Sequence, residues 1–559
     1  MSSQGPPLNP TVYDAETKIF SSELVKQFPP PTAKTVWSLL MGDGQGDEEH
    51  VVFIDTKDGT EWKLGQLKVL AERLGAGLMR DPQIPASSVV MLLLPNSIQF
   101  IIALLAAQYA GLTVALANPA YTTHELSHCL RLTKPVRIFS VSKLLGLATR
   151  SGATWSQCIV MDAHVGYGTI FWRECLRSAE EAREAKPREV DPSSVAYLPF
   201  SSGTTGLPKA VSISHSNIAA MCHIISITPG AYDRGVRSIG FLPFFHAMAL
   251  LLMIHMPIYR RGTIHIMASF NPARFLQIAQ KGRCTDLSLV PPVFTMLVTN
   301  ADIPRDSLKS VRTIRCGAAP LDSAMQVAFA EKFSIEDIRQ GWGMTETTVG
   351  CLGLAAGSTP GTVGNILPFV QARIVDPESG KDVERGKSGE LWVRGPNIMQ
   401  GYHANPQATK EAFSDGWLRT GDVVFANERG EFTIIDRIKE LIKYKGWQVA
   451  PAELEGLLLS HPKVVQAGVI GIYDRKQGTE LPRAYIKVQN SSNEPEELVQ
   501  ELQAFVARKA SAQKQLRGGI RIVDAVPVSP SGKVLRKLLR AMVQKEEAAE
   551  KDAMGASKL

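Results

Sequence analysis

With 559 residues, 44% of them apolar and 21% charged, the chain is long enough for two to four domains and too ordinary in composition to be disordered or fibrous. A formal net charge of +7 is modest for this length, so charge alone does not point to nucleic acid. Seven scattered cysteines without a CxxC pair argue against a disulfide framework or a zinc site and fit a reducing compartment.

The N-terminus is polar and proline-containing, unlike a secretory leader. The stretch 100–117 carries no charge, but Gly111 splits it into a helix-like and a strand-like part, each the length of a buried element and not of a membrane span. Short β-rich runs at 89–94, 113–116, 136–141, 195–200, 239–244, 263–267 and 313–316 alternate with helical stretches at 64–78, 97–110 and 323–333. This rhythm predicts layered α/β architecture with largely parallel sheets. After Pro360, runs at 370–375, 390–393 and 431–435 are separated by Gly, Pro and Asp turns, which predicts a more antiparallel, barrel-like module. Beyond residue 437 come a helix (452–460), strands (464–472, 483–488), a helix (495–510), a strand (520–523) and a basic helix from Val534. The expected organisation is a large domain at 1–437 and a small, mobile α+β domain at 438–559. The closing segment reads as a helix end running into a mobile tail.

One loop carries a chemical signature. The run 195–200 feeds Ser201-Ser202-Gly203-Thr204-Thr205-Gly206-Leu207-Pro208-Lys209. Glycines let backbone N–H groups approach a phosphate, hydroxyls add donors, and Lys209 supplies charge. It is not a Walker A loop, because Ala210 follows the lysine where Ser or Thr would be needed. Further motifs follow in order: Phe244-Phe245-His246, Gly317-Ala318-Ala319-Pro320, Gly341-Trp342-Gly343-Met344-Thr345-Glu346, and Trp417-Leu418-Arg419-Thr420-Gly421-Asp422. Then come Asp436-Arg437-Ile438-Lys439-Glu440-Leu441-Ile442-Lys443-Tyr444-Lys445-Gly446 and Pro530-Ser531-Gly532-Lys533. Together they resemble the signatures of the adenylate-forming superfamily of acyl-CoA synthetases, peptide-synthetase adenylation domains and beetle luciferase. The wording Trp447-Gln448-Val449-Ala450-Pro451 is most similar to the 4-coumarate–CoA ligase branch. Two positions depart from the family pattern: Ala210 stands where glycine is usual, and Trp342 where tyrosine is usual.

The resemblance implies two half-reactions, in which a carboxylate and ATP give acyl-AMP and pyrophosphate, and a thiol then displaces AMP. It implies that Lys533 bridges carboxylate and α-phosphate, that Glu346 holds Mg²⁺, and that Thr345 bonds the α-phosphate. Asp422 and Arg437 would hold the ribose, with residues 317–320, Gln340, Gly341 and Trp342 around the nucleotide. Rotation about Lys439 would then withdraw Lys533 and bring in Lys443, Lys445, Gly446 and Gln448 for CoA. His246 would gate an acyl pocket walled by Ala247, Met248, Cys316, Gly317, Gly341, Val349 and Gly350. None of those can ion-pair with a substrate amine, which favours an apolar or aromatic acid. Cys316 and Cys351 have no sequence-adjacent base and read as buried thiols.

Three other readings remain open on the sequence: loading of a separate carrier protein, a luciferase-like oxygenase, and a non-enzymatic nucleotide sensor. Too few residues follow Lys533 for a fused carrier domain, and a sensor would lack Lys533 or Glu346, which are both present. The terminal Ser557-Lys558-Leu559 spells the peroxisomal import tripeptide, implying the import receptor as a partner and the peroxisome as the location.

Overall fold

The computed structural model describes residues 9–42, 47–201, 208–319, 321, 323–353, 355–445, 447–474, 477–489, 495–529 and 532–556. The loop residues 202–207, Pro320, Gly446, Pro530, Ser531 and the terminal tripeptide therefore lie outside the described residues.

The expected α/β rhythm is realised as stacked sheets. The largest orders its strands Gly401–Tyr402, Lys209–Ser214, Val195–Ser201, Thr113–Leu116, Val89–Leu93, Arg137–Ser140, Cys158–Val160 and Ile170–Phe171. From Val195–Ser201 outward its neighbours are parallel, while Lys209–Ser214 returns antiparallel. The uncharged stretch resolves into the helix Ile98–Tyr109, capped by Ser97 and almost wholly buried, and the strand Thr113–Leu116. Gly111 makes the corner between them at φ +65°. Among the described residues no helix is long and apolar enough to cross a membrane.

Two four-stranded sheets form a second layer. One orders Arg237–Gly240, Thr263–Ile266, Val51–Asp55 and Glu61–Lys63; the other orders Asp286–Leu289, Thr313–Cys316, Asp337–Trp342 and Leu352–Gly353. They meet where Thr285 N–H donates to Arg237 O at 2.8 Å. The strand expected over 239–244 is displaced: it ends at Gly240. Pro243 cannot continue a ladder, and Asn96 holds the chain in a loop instead. The Asn96 amide donates to Leu242 O at 2.8 Å, and its Oδ1 accepts from Phe244 N–H at 2.8 Å.

After Pro360 the sheet is antiparallel, as expected. Gln371–Val375, Gly389–Arg394, Trp417–Ala426 and Phe432–Arg437 pair in succession, and the N-terminal hairpin Thr11–Asp14/Ile19–Ser22 completes the edge. Trp417–Ala426, ten residues long, went unread in the sequence because its central Thr420-Gly421-Asp422 looks like a turn. Beyond it, the hairpin Ile442–Tyr444/Trp447–Val449, the helix Pro451–Leu459 and the sheet Val464–Asp474, Thr479–Val488 and Ile520–Ile522 share a core with the helix Pro495–Lys509. The basic helix expected from Val534 is Arg536–Ala556, and it continues through the helix end expected in the closing segment.

All seven cysteines are free and six are buried. Burial pushes the Cys351 thiol up to about 12 and Cys316 higher still, so neither is a thiolate near neutral pH.

Candidate active site

The strands that flank residues 202–207 pair Ser201 with Lys209 and Phe200 with Ala210. Alternation along the strand sends Ala210 into the core beside Leu198 and Phe200, so its methyl does not intrude on the loop side. Lys209 Nζ lies 4.6 Å above the Tyr402 ring, and the Tyr402 hydroxyl donates to Glu346 Oε1 at 3.0 Å. Burial and the Glu346 carboxylate push the Tyr402 phenol well above its ordinary value, which keeps it a donor. Tyr402 had no signal in the sequence. It arrives because the strand Gly401–Tyr402 pairs with Lys209–Ser214.

Glu346 and Thr345 sit in a single 3₁₀ turn, Thr345–Thr347, after the strand Asp337–Trp342; Glu346 is buried and Thr345 half-buried. The following turn is strained, with Thr348 at φ +47° and Val349 at φ +94°. Asn397 holds it, donating to Thr347 O at 3.0 Å and Gly350 O at 2.8 Å. Only glycine fits at 343, since a Cβ there would lie 1.7 Å from Val349 O.

Asp422 carries a donor on each oxygen. The Trp342 indole N–H donates to Oδ2 at 2.7 Å, and Arg437 Nε donates to Oδ1 at 2.9 Å. Trp342 thus does something a tyrosine ring at that place would have to do differently: its N–H orients a carboxylate. Gln340 does not face an open site. Its amide bonds Leu321 N–H and Leu321 O, both at 3.0 Å, and so pins the chain that follows Gly317-Ala318-Ala319. Ala318 in that segment is exposed and takes φ +71°.

Lys533 lies within electrostatic reach of Arg437, Glu440, Asp422 and Arg536. Burial, then the Arg437 charge, lowers its ammonium to about 8. Glu346 in turn acts on Arg437, so Glu346, Arg437, Asp422 and Lys533 form one charged cluster, with Tyr402 and, over its ring, Lys209 adjoining at Glu346. Arg536, three residues on, is buried and braces this region: it makes two 2.8 Å bonds to Glu455, one of 3.1 Å to Val469 O, and an ion pair with Glu440. Glu440 and Arg536 were not singled out from the sequence, because a charge beside other charges reads as solvated.

The remaining sequence candidates lie elsewhere. Lys443 and Lys445 are exposed on the hairpin Ile442–Tyr444/Trp447–Val449, where Gln448 pairs with Lys443 through the backbone. Lys439 is exposed in the turn leading to it. The charges acting most strongly on Lys533 come from Arg437, Glu440, Asp422 and Arg536 instead.

Met248, Gly317 and Gly341 come together as one wall. A Cβ at 317 would lie 3.5 Å from Met248 Sδ and 3.6 Å from Gly341 O. Cys316 precedes it on a buried strand, Ala247 is buried beside Met248, and Val349 and Gly350 belong to the strained turn. A Cβ at Gly350 would lie 3.8 Å from Trp342 O. His246 opens the short helix Ala247–Ala249, its ring 4.5 Å from Phe245, and burial lowers its imidazole to about 4, so it is neutral at neutral pH. The chain then takes a π-helical turn, Leu250–His255, whose His255 Nε2 meets the Tyr197 hydroxyl at 2.9 Å.

The same organisation recurs in known proteins. Residues 42–403 match the AMP-binding enzyme family, and residues 453–533 match the AMP-binding enzyme C-terminal domain. The chain is 34% identical to the peroxisomal OPC-8:0-CoA ligase 1 of Arabidopsis thaliana, with 95% of each chain covered. It is 35% identical to 4-coumarate–CoA ligase 2 of Petroselinum crispum, over 88% of this chain and 90% of that one. Among solved structures it superimposes on ATP-bound MatB from Rhodopseudomonas palustris with a TM-score of 0.80 and 25% identity, covering 91% of this chain and 98% of that chain. The anthranilate CoA ligase AuaEII shares the fold at a TM-score of 0.83 and 20% identity, over 94% and 99% of the two chains. With its charged cluster, its ordered motifs and a family match over most of its length, the chain belongs to the AMP-binding enzyme family.

Proposed function

We propose that this protein is an ATP-dependent acid–CoA ligase working in two steps on an apolar or aromatic carboxylic acid. In the first, a carboxylate oxygen attacks the α-phosphorus of ATP, the bond to the pyrophosphate breaks, and acyl-AMP forms. In the second, the CoA sulfur attacks the acyl carbon, the acyl–phosphate bond breaks with release of AMP, and the thiol proton passes to solvent. The observation that carries this reading is the position of Lys533 beside Arg437 and Asp422, with Glu346 acting on the same arginine. Two anions must meet in the first step, and a half-buried ammonium there offsets the charge that develops between them.

In this reading the hydroxyls and backbone of Ser201–Lys209 hold the phosphates, Thr345 bonds the α-phosphate, and Asp422 and Arg437 hold the ribose. Among the described residues no group of three His, Cys, Asp or Glu side chains could hold a metal alone. Mg²⁺ arriving with ATP would therefore share the single carboxylate of Glu346 with phosphate oxygens and water, a usual arrangement for that ion, and would neutralise phosphate charge. A neutral His246 would gate the acid pocket by hydrogen bonding and not by ion pairing. The large domain is 1–437 and the small one 438–559; rotation about Lys439 presents Lys443, Lys445, Gly446 and Gln448 to CoA for the second step. The resemblance to relatives named as CoA ligases favours CoA over a carrier protein as acceptor.

The test is a panel of carboxylic acids with ATP and CoA, with AMP release followed in the presence and absence of CoA. CoA-dependent AMP release with apolar or aromatic acids is the expected result. Turnover restricted to a carrier protein, or a preference for an α-amino acid, would overturn the acceptor or the pocket. Ser557-Lys558-Leu559 and the relative named as peroxisomal support a peroxisomal location through the import receptor. Deleting the tripeptide should leave an active protein in the cytosol, and import of the truncated chain expressed alone would refute this.

A further inference from the structure

Hydrogen bonds tie Lys533 and Gly532 to Ser529. Ser529 N–H donates to Lys533 O and Gly532 N–H to Ser529 O, both at 2.8 Å; Lys533 N–H donates to Ser529 Oγ at 3.1 Å, and Val528 bridges to Val534. Gly532 takes φ +80°, and a Cβ added there would lie 2.6 Å from both Cδ and Cγ of Pro292. Pro292 belongs to the first turn of the helix Pro291–Thr299, far away in sequence, and remains exposed. The segment bearing the lysine therefore closes against one proline ring with no space for a side chain between them. A second tie crosses Lys439: Asp436 Oδ2 accepts from Ala452 N–H at 2.9 Å.

We propose that Pro292 is the seat on which the Lys533 segment closes for adenylation, a positioning residue that sets how far the lysine enters the site. The proposal rests on the two-step, rotating reading given above. Proline suits such a seat. Its ring is rigid, it carries no N–H that needs a partner, and it is well accommodated in the first turn of a helix. The contact is dispersion only, so it stops the segment at a fixed depth without directional bonds that would resist its departure for the second step. Glycine is required opposite, because it alone takes the left-handed φ readily and leaves room for the ring.

The experiment is single-turnover kinetics in two arms: acid plus ATP, and supplied acyl-AMP plus CoA. Gly532→Ala drives a methyl into the Pro292 ring and should slow adenylation about 100-fold, as expected when a transition-state donor is displaced. Pro292→Ala removes Cγ and Cδ, the two atoms in collision. The double variant should therefore adenylate about tenfold faster than Gly532→Ala, a coupling between touching residues. Backbone strain at residue 532 would not be relieved by that second change, so recovery reports the contact itself. In the acyl-AMP arm all variants should stay within about threefold of the parent. If Gly532→Ala does not fold, Pro292→Trp tests the same contact from an exposed position, with slower adenylation and an intact second arm expected.

A double variant no faster than Gly532→Ala, unchanged adenylation in Pro292→Trp, or equal losses in both arms would overturn the seat. Lys533→Ala, run alongside, separates the two levels. If it spares the acyl-AMP arm, the rotating reading stands whatever happens at Pro292; if it damages both arms equally, that reading itself falls.

Discussion

Around Asp422 each carboxylate oxygen has its own donor, from Trp342 on one side and Arg437 on the other, and Glu346 accepts from Tyr402. Around Met248 the structure brings together a thioether and two glycines, Gly317 and Gly341. On the proposed reading, the nucleotide side recognises by fixed polar geometry, where one lost partner leaves a buried charge poorly matched. On the same reading, the acid side recognises by shape, where one methylene is worth only about 1–3 kcal/mol. Enzymes that must accept one nucleotide and several acids have reason to be built this way.

The largest effect expected is at Lys533. Lys533→Ala should slow adenylation by about 10²–10³-fold while leaving conversion of supplied acyl-AMP nearly normal. Lys443→Ala should do the reverse, and Lys439→Pro should spare the first step and hinder the second by fixing φ at the turn. Single-turnover rates in the two arms decide all three. Equal damage from Lys533→Ala in both arms would place it with the general nucleotide contacts.

Next comes the pH profile of the first step. Because the Lys533 ammonium is lowered to about 8, its protonated fraction falls as pH rises through that value. With the cation as the working form, kcat/KM for adenylation should drop about tenfold per pH unit above it, following the free enzyme. A flat profile from pH 7 to 10 would show that the charge of Lys533 does not matter.

On the nucleotide side, Trp342→Phe keeps a ring but removes the N–H that orients Asp422. Losing a hydrogen bond to a charged group is worth about 1.5–3 kcal/mol, so KM for ATP should rise by tenfold or more with the KM of the acid unchanged. An equal rise in both would mean that the indole is packing only.

The smallest effect belongs to the acid side. Met248→Ala should shift preference toward bulkier acids by a factor of several, at little cost in ATP affinity, because it enlarges a flexible wall without unpairing any polar group. A steep selectivity among apolar acids in the parent enzyme would contradict the contrast between the two regions.

Local sequence determined a good deal. The alternation of β-rich runs and helical stretches, the glycine–hydroxyl loop and the spacing of the later motifs follow from side-chain periodicity and turn chemistry, which act over a few residues. The loop chemistry singles out Lys209, and the resemblance to the adenylate-forming superfamily, not periodicity, makes Glu346, Asp422, Arg437 and Lys533 candidates. Contacts between residues tens to hundreds of positions apart were decided only by tertiary structure. Tyr402 reaches Glu346 because two strands pair, Trp342 bonds Asp422 because two sheets meet, and Asn96 turns 241–246 into a loop by satisfying its backbone groups. In the sequence Gly532 is one residue of the Pro530-Ser531-Gly532-Lys533 motif. That it must also clear the ring of Pro292 depends on how two parts of the chain pack, and no local periodicity encodes that distance.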